Sequence, residues 1–235
     1  MSGAGGSDTD YVFLPETTPQ VPVQGSRAAF PVRRIYCVGS NYPEHAREMG
    51  TSLREPPCFF SKPANAVFTD ATVPYPPMTQ NLHHEVELVV ALSSGGVCIP
   101  VDKSLERVFG YAVGVDLTRR DLQAEAKKQG RPWMTAKSFD HSAPVSAIRP
   151  VSSGGHPENA AIRLDVNNES RQRGDINEMT WSVAEIIAEL SRYFELKAGD
   201  LIFTGTPSGV GRLLPGDRVD CSSDGIGSLS FTMVA

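Results

Sequence analysis

His83-His84-Glu85-Val86-Glu87-Leu88-Val89-Val90-Ala91-Leu92 is the stretch on which the fold reading turns. Successive side chains along a strand point to opposite faces, so Val86, Leu88, Val90 and Leu92 share one face. His83, Glu85, Glu87, Val89 and Ala91 share the other. The first face is wholly apolar and the second ends in apolar residues, the pattern of a strand covered on both sides. Two carboxylates about 7 Å apart on a covered face repel in a low dielectric unless a cation compensates them. Taken alone, an E-x-E pattern is more often a solvated face than a pair of ligands, and the residues around it decide.

Working outward, Gly95-Gly96 ends this strand, and Phe109 to Asp116 forms a second one. Tyr111, Val113 and Val115 line one side of it, while Gly110, Ala112, Gly114 and Asp116 leave the other almost bare. Thr118 and Asp121 resemble a capping box, and Gly130 before Pro132 is a stop, which predicts a helix over Arg119 to Gln129. Upstream, Val32 to Val38 is a β-branched, apolar strand. Gly39-Ser40-Asn41 then turns the chain into a short helix from Tyr42 to Met49, closed by Gly50. Residues 51 to 80 hold many prolines and read as irregular strands and turns. Downstream, Ser182 and Glu185 box a helix whose Val183, Ile186, Ile187, Leu190 and Phe194 form one apolar stripe. Strand patterns at Ile162 to Val166, Asp200 to Thr204, Arg218 to Cys221 and Ser228 to Val234 complete a strand-dominated α+β chain without βαβ rhythm. Residues 1–30, rich in Pro, Gly, Ser and Thr, predict an extended surface arm ahead of one catalytic domain over 31–235.

Composition narrows the function class. At 235 residues with 40% hydrophobic content, one core suffices without disulfide staples. The net charge of −5 gives no electrostatic reason to expect nucleic acid or an anionic membrane as a partner. No apolar run approaches the roughly 20 residues of a membrane span. Cys37, Cys58, Cys98 and Cys221 form no C-x-x-C pair, which fits a reducing compartment. A cytoplasmic protein acting on a small molecule is expected, with a mitochondrial location as the alternative.

Asp116 changes the weight of Glu85 and Glu87. It ends a strand whose own face is bare enough for close approach, although a helix-entry Asp beside Thr118 would look the same. Three carboxylates without Cys or His at ligand spacing make a hard, all-oxygen site, suited to Mg²⁺ or Mn²⁺ rather than zinc. His83 and His84 point oppositely, so at most one faces the acids. His45 and Glu48 are helix neighbours at i and i+3, on a segment with too little apolar surface to be rigid, as in a lid. Arg120 and Gln123 share a face of the helix after Asp116, and Lys137 follows in Thr135-Ala136-Lys137-Ser138-Phe139-Asp140. Gly205-Thr206-Pro207-Ser208-Gly209-Val210-Gly211 lacks the Lys-Ser/Thr of a P-loop, although its backbone N–H groups are suited to an anion.

These motifs, in this order, resemble the fumarylacetoacetate hydrolase family. The resemblance rests on Cys37-Val38-Gly39-Ser40-Asn41-Tyr42 with His45 and Glu48, on His84-Glu85-Val86-Glu87-Leu88, and on Asp116 to Gln123. It continues through Lys137-Ser138-Phe139-Asp140 and Thr204-Gly205-Thr206-Pro207, and spans Val32 to Val234. Short acylpyruvate and fumarylpyruvate hydrolases are the most similar members. The resemblance implies a mixed β-sandwich roll, a homodimer, Mg²⁺ on Glu85, Glu87 and Asp116 with Mn²⁺ as the alternative ion, and a lid bearing His45 and Glu48. It also implies substrate contacts from Arg120, Gln123, Lys137 and Thr206. Many relatives carry Arg where this chain has Ser40. The expected reaction is hydrolysis of the carbon-carbon bond of a 2,4-dioxo acid, fumarylpyruvate foremost, with His45 and Glu48 activating water and Lys137 steadying the departing enolate. Oxaloacetate decarboxylation and keto-enol tautomerisation use the same enolate chemistry. A non-catalytic metal-dependent binding module is the alternative of another class, and it predicts loss of the lid pair or of Lys137, all of which the chain retains.

Overall fold

The computed structural model describes residues 10–48 and 56–235, the side chains of 46–48 excepted. A six-stranded sheet runs in the order Arg149–Pro150, Val108–Val115, Val86–Leu92, Asp200–Phe203, Arg34–Gly39, Cys58–Lys62. Its neighbours are antiparallel except Asp200–Phe203 against Arg34–Gly39, which is parallel. A five-stranded sheet, Glu169–Asp175, Ala161–Val166, Arg218–Ser223, Gly227–Val234 and Thr72–Pro74, packs against it. The architecture is therefore the strand-dominated, mixed β-sandwich that the sequence led us to expect.

The alternation in the opening stretch maps onto two cores. Val86, Leu88, Val90 and Leu92 enter the core between the sheets with Tyr111, Val113, Ile162, Leu164 and Phe231. The helix Val183–Tyr193 closes that core with Ile186, Ile187 and Leu190, and Ser182 with Glu185 forms its capping box as predicted. Val89 and Ala91, on the opposite face, pack with Ala112, Leu201 and Phe203 in a second core. That second face is covered partly by residues expected to lie in a surface arm. Tyr11 to Leu14 are exposed, but Gln20–Pro22 and Ala29–Pro31 form a two-stranded ribbon whose Val21 and Phe30 are buried against the sheet. The Val-x-Val alternation at Val21 and Val23 is what lets this Pro-rich segment bury one side.

Three further differences matter for the site. The expected continuous strand His83 to Leu92 is two strands, Leu82–His84 and Val86–Leu92, with Glu85 at the break. Leu82–His84 belongs to a separate small sheet between Thr118–Arg119 and Gly211–Leu213. The chain thus passes from the small sheet into the six-stranded one at Glu85, and back out to the small one between Val115 and Thr118 and again after Phe203. The second difference is that Thr118 and Asp121 do not cap a helix. The helix spans Arg120–Lys128 without a side-chain cap, Thr118 is a strand residue, and Asp121 instead accepts from Thr79 Oγ1 at 2.7 Å and Gln80 N at 2.9 Å. Thr118 pairs across the small sheet with His83, which delays the helix so that Arg119 takes the N-cap position, and the Thr118 hydroxyl donates to Glu85 instead. The third is that the short helix expected as a lid spans Pro43–Glu48, while Met49 and Gly50, its expected end, fall outside the described residues. No described helix is long and apolar enough to cross a membrane.

Gly114 pairs in register with Glu87, and a Cβ there would meet Phe203 Cε1 and Val89 Cγ2 at 2.7 Å. The bare face predicted for this strand is therefore a requirement of close sheet packing. Gly114→Ala is expected to lower stability by about 1–3 kcal/mol through overpacking, read as a fall in denaturation midpoint at unchanged m-value. An unchanged midpoint would mean that the second core yields at no cost.

Candidate active site

Glu85 and Asp116 lie at the two points where adjacent strands leave the large sheet, and the Asp116 N–H donates to the Glu85 carbonyl at 2.8 Å. Glu87 follows one alternation later on the same side. The three carboxylates offer oxygens that all lie within 4.8 Å of one another, and they are 5%, 2% and 0% exposed for Glu85, Glu87 and Asp116. A solvated face is thereby excluded for the E-x-E pattern. Buried acids at this spacing require positive charge.

Three cations supply part of it. Lys137 Nζ donates to Glu85 Oε2 at 2.9 Å, Asp116 Oδ2 at 2.5 Å and Thr118 Oγ1 at 2.6 Å. Arg120 pairs with Glu85 Oε1, which also accepts from Thr118 Oγ1 at 3.0 Å. Lys62 Nζ stands 2.8 Å from Asp116 Oδ1 and donates to the Lys137 carbonyl. Burial would raise Glu85, but the charges of Lys137, Arg120 and His45 hold it well below the usual carboxylate range. Burial likewise opposes the charge on Lys137, yet Asp116 and Glu85 hold its ammonium above the ordinary lysine value.

Glu87 is the acid that these cations leave uncompensated. Among the described residues its Oε2 accepts from the Gly205 N–H, at 2.7 Å. Burial, then Asp116 and Glu85, push it well above the usual carboxylate range. Asp116 Oδ1 is a second acceptor in deficit, because the Lys62 ammonium, although close, is not aligned to hydrogen bond and no other donor reaches that oxygen. Two under-compensated buried oxygens in an all-carboxylate set are what a hard divalent cation would satisfy. The residues fit one.

The remaining predicted residues converge on the same cleft. His45, buried on the Pro43–Glu48 helix, lines it with Ser40, Arg120, Gln123 and Thr206. The Glu48 side chain, and with it the expected i, i+3 pair, lies outside the described residues. Arg120 Nη1 donates to Gln123 Oε1 at 2.5 Å, so the shared helix face anticipated for the two is formed. Thr206 Oγ1 accepts from Gln172 Nε2 at 2.8 Å. The same glutamine accepts from Val86 N at 3.0 Å and contacts His84 Nδ1 at 2.9 Å. His84 is thus a core residue lowered by burial, and His83, beside Arg120, is lowered to about 4 by burial first and then by that arginine. Neither histidine joins the acids. The group that the Gly205 N–H of the Gly205-to-Gly211 loop holds is the protein's own Glu87 carboxyl.

Lys62, Thr118, Gln172 and Asn41 are parts of the site whose roles the sequence reading missed. Lys62 carried one signal, an isolated cation ending the apolar run Cys58-Phe59-Phe60. Gln172 carried none, being one polar residue on an exposed-looking strand. Asn41 ties the lid's start to the loop behind the site, donating to Thr204 O at 2.8 Å and accepting from Trp181 N at 2.8 Å.

Comparison with known proteins agrees with this geometry. The family model for the fumarylacetoacetate (FAA) hydrolase C-terminal domain matches residues 34–234. A fumarylpyruvate hydrolase of Ralstonia sp is 42% identical over 187 residues, covering 80% of this chain and 97% of that protein. The oxaloacetate tautomerase YcgM of Escherichia coli K12 is 41% identical over 205 residues, covering 86% and 93% respectively. Among solved structures, a fumarylpyruvate hydrolase from Pseudomonas aeruginosa in complex with Mn²⁺ and pyruvate superposes with a TM-score of 0.93 at 50% identity, covering 96% of this chain and 99% of that one.

The metal reading has a consequence for stability. In protein stripped of metal by chelation, added Mn²⁺ at about 100 times its Kd should stabilise the fold by roughly 2.7 kcal/mol, seen as a rise in Tm. Glu87→Gln and Asp116→Asn should each abolish the rise. A rise that survives in both would locate the ion elsewhere.

Proposed function

The chain belongs to the fumarylacetoacetate hydrolase family, and from that membership we propose that it hydrolyses the carbon-carbon bond of an acylpyruvate, fumarylpyruvate foremost, with Mg²⁺ as its working ion. The observation that carries this reading is the pairing of a compact buried carboxylate trio with a 50% identical structural relative bearing Mn²⁺ and pyruvate. Pyruvate is the product expected when an acylpyruvate is cut.

Glu85, Glu87 and Asp116 would hold the ion. Bound there, a divalent cation supplies Lewis-acid polarisation of the 2-oxo acid and neutralises developing negative charge. The chain's own residues do the rest. Arg120, Gln123 and Thr206 orient the 2-oxo acid end, and the Gln172 bridge keeps the Thr206 hydroxyl fixed to the strand behind it. His45, oriented by Glu48, accepts a proton from a water directed at the 4-oxo carbon. As the bond between carbons 3 and 4 breaks, its electron pair stays with the pyruvate fragment as an enolate, and the acyl fragment leaves as a carboxylic acid. The Lys137 ammonium, held charged by Asp116 and Glu85, stands ready to stabilise that enolate and to protonate it.

Tautomerisation of oxaloacetate is the second reading, favoured by the 41% identity to the Escherichia coli enzyme. It needs the same polarised 2-oxo acid and one proton relay, but no water attack. The two separate at His45. His45→Ala is expected to lower kcat for fumarylpyruvate hydrolysis by roughly 10²–10⁴-fold while calorimetric Mn²⁺ affinity is kept. Near-normal hydrolysis by that variant would remove His45 from the water-activating role. Wild-type protein that equilibrates oxaloacetate enol and keto forms rapidly but leaves fumarylpyruvate intact would transfer the assignment to the tautomerase.

A further inference from the structure

The face of the Arg120–Lys128 helix that lines the cleft carries three polar side chains at i, i+3 and i+7: Arg120, Gln123 and Lys127. The first and last stand about 10 Å apart along the helix axis, at 1.5 Å per residue. Arg120, at the inner end, is committed to Glu85, as Lys137 is to Glu85 and Asp116 and Lys62 is to Asp116. Lys127 differs. Among the described residues no carboxylate lies within ion-pair distance of its ammonium, and its contact is the face of Trp133, 5.2 Å from the ring centroid. Trp133 stacks obliquely on Phe60 at 5.8 Å, and these two rings line both the cleft and an adjoining cavity of about 600 Å³. An aromatic wall bearing the Lys127 ammonium thus leads outward from the carboxylate trio, with Arg131 on the lining of the cavity beyond.

Charge counting points the same way. Three acids face three ion-paired cations, so a divalent ion would leave the cleft positive even before Lys127 is counted. With Lys127 the excess would be three charges, of which a substrate with one carboxylate would cancel one.

Resting on the proposed acylpyruvate chemistry, we propose that Lys127 is the counter-ion for a second, distal carboxylate, which makes it a specificity residue selecting dicarboxylic 2-oxo acids over monocarboxylic ones. A seven-carbon 2,4-dioxo diacid, extended, spans roughly 7–8 Å between its carboxyl carbons at about 1.2 Å of advance along the zigzag per bond, which suits the run from Arg120 to Lys127. Its flat acyl portion would lie along Trp133 and Phe60. The cation–π contact holds the Lys127 stem in place before substrate arrives, so little rotamer freedom is lost on binding. Burial, and then Arg120, lower the Lys127 pKa, which is the condition of a cation awaiting an anion.

Two acids of equal length that the enzyme cannot cleave provide the test: 2-oxoheptanedioate and 2-oxoheptanoate, titrated calorimetrically into Mn²⁺-saturated protein. The ratio of their dissociation constants is the readout, since a merely structural loss weakens both alike. In Lys127→Met the preference for the diacid should fall about tenfold or more, the size of a charge-assisted hydrogen bond, and Lys127→Arg should restore it. Lys127→Gln reports the same ratio should the Met variant not fold. A ratio unchanged in both neutral variants would overturn the inference. Because neither probe is turned over, a wild type inactive on fumarylpyruvate would count against the proposed reaction and leave this result standing on its own.

Discussion

Three carboxylates buried within 4.8 Å of one another are the constraint around which the rest of the molecule is arranged. Removing even one such group from water costs several kcal/mol unless charge and hydrogen bonds are returned to it. Lys62, Arg120 and Lys137 return charge to Glu85 and Asp116, and Thr118 adds a hydroxyl between them. Among the described residues Glu87 accepts from one backbone N–H, and one oxygen of Asp116 accepts no hydrogen bond. What these partners leave short is donors to Glu87 and to one Asp116 oxygen, and coordination by a divalent ion is what would supply them.

The sheet architecture creates the place where such a cluster can exist. Three neighbouring strands of the large sheet bend into a small three-stranded one, and Glu85, Asp116 and the Thr204-Gly205 segment sit at the three bends. Backbone pairing is interrupted there, so side chains from both strands face one volume instead of alternating away from it. Glycines make the approach close enough: Gly114 lies directly across from Glu87, and a Cβ on Gly205, at φ +100°, would meet Asn41 Cβ at 2.7 Å. Gln172 and Asn41 then tie the loop carrying Thr206 and the start of the lid helix to this corner.

Relatives named as a hydrolase and as a tautomerase match this chain about equally well, so the family match alone does not choose between two reactions that both require a stabilised enolate. Under the proposed reaction, the choice of substrate lies further out, in the wall that would meet the acyl group. In this chain the wall is Phe60 and Trp133 with Lys127, and Ser40, in a left-handed conformation at φ 57°, lines the same cleft. A serine there leaves Lys127 as the cation among the described cleft residues that no carboxylate engages.

Strand alternation made the two cores readable in advance, since hydrophobic period 2 is a local property: Val86, Leu88, Val90 and Leu92 went to one core, Val89 and Ala91 to the other. The Ser182–Glu185 capping box was equally local and formed. The acids, His45, Arg120, Gln123, Lys137 and Thr206 were nameable because they are chemically conspicuous and fall in family motifs. The break at Glu85, the use of Thr118 for cross-strand pairing instead of capping, and the burial of Val21 and Phe30 depend on which strand lies next to which, information that no window of sequence contains. Gln172 and Lys62 show the limit most plainly. Each lies at least 20 residues from every other site residue it touches, and a polar side chain on a strand acquires its role only when distant backbone brings a partner within hydrogen-bonding reach.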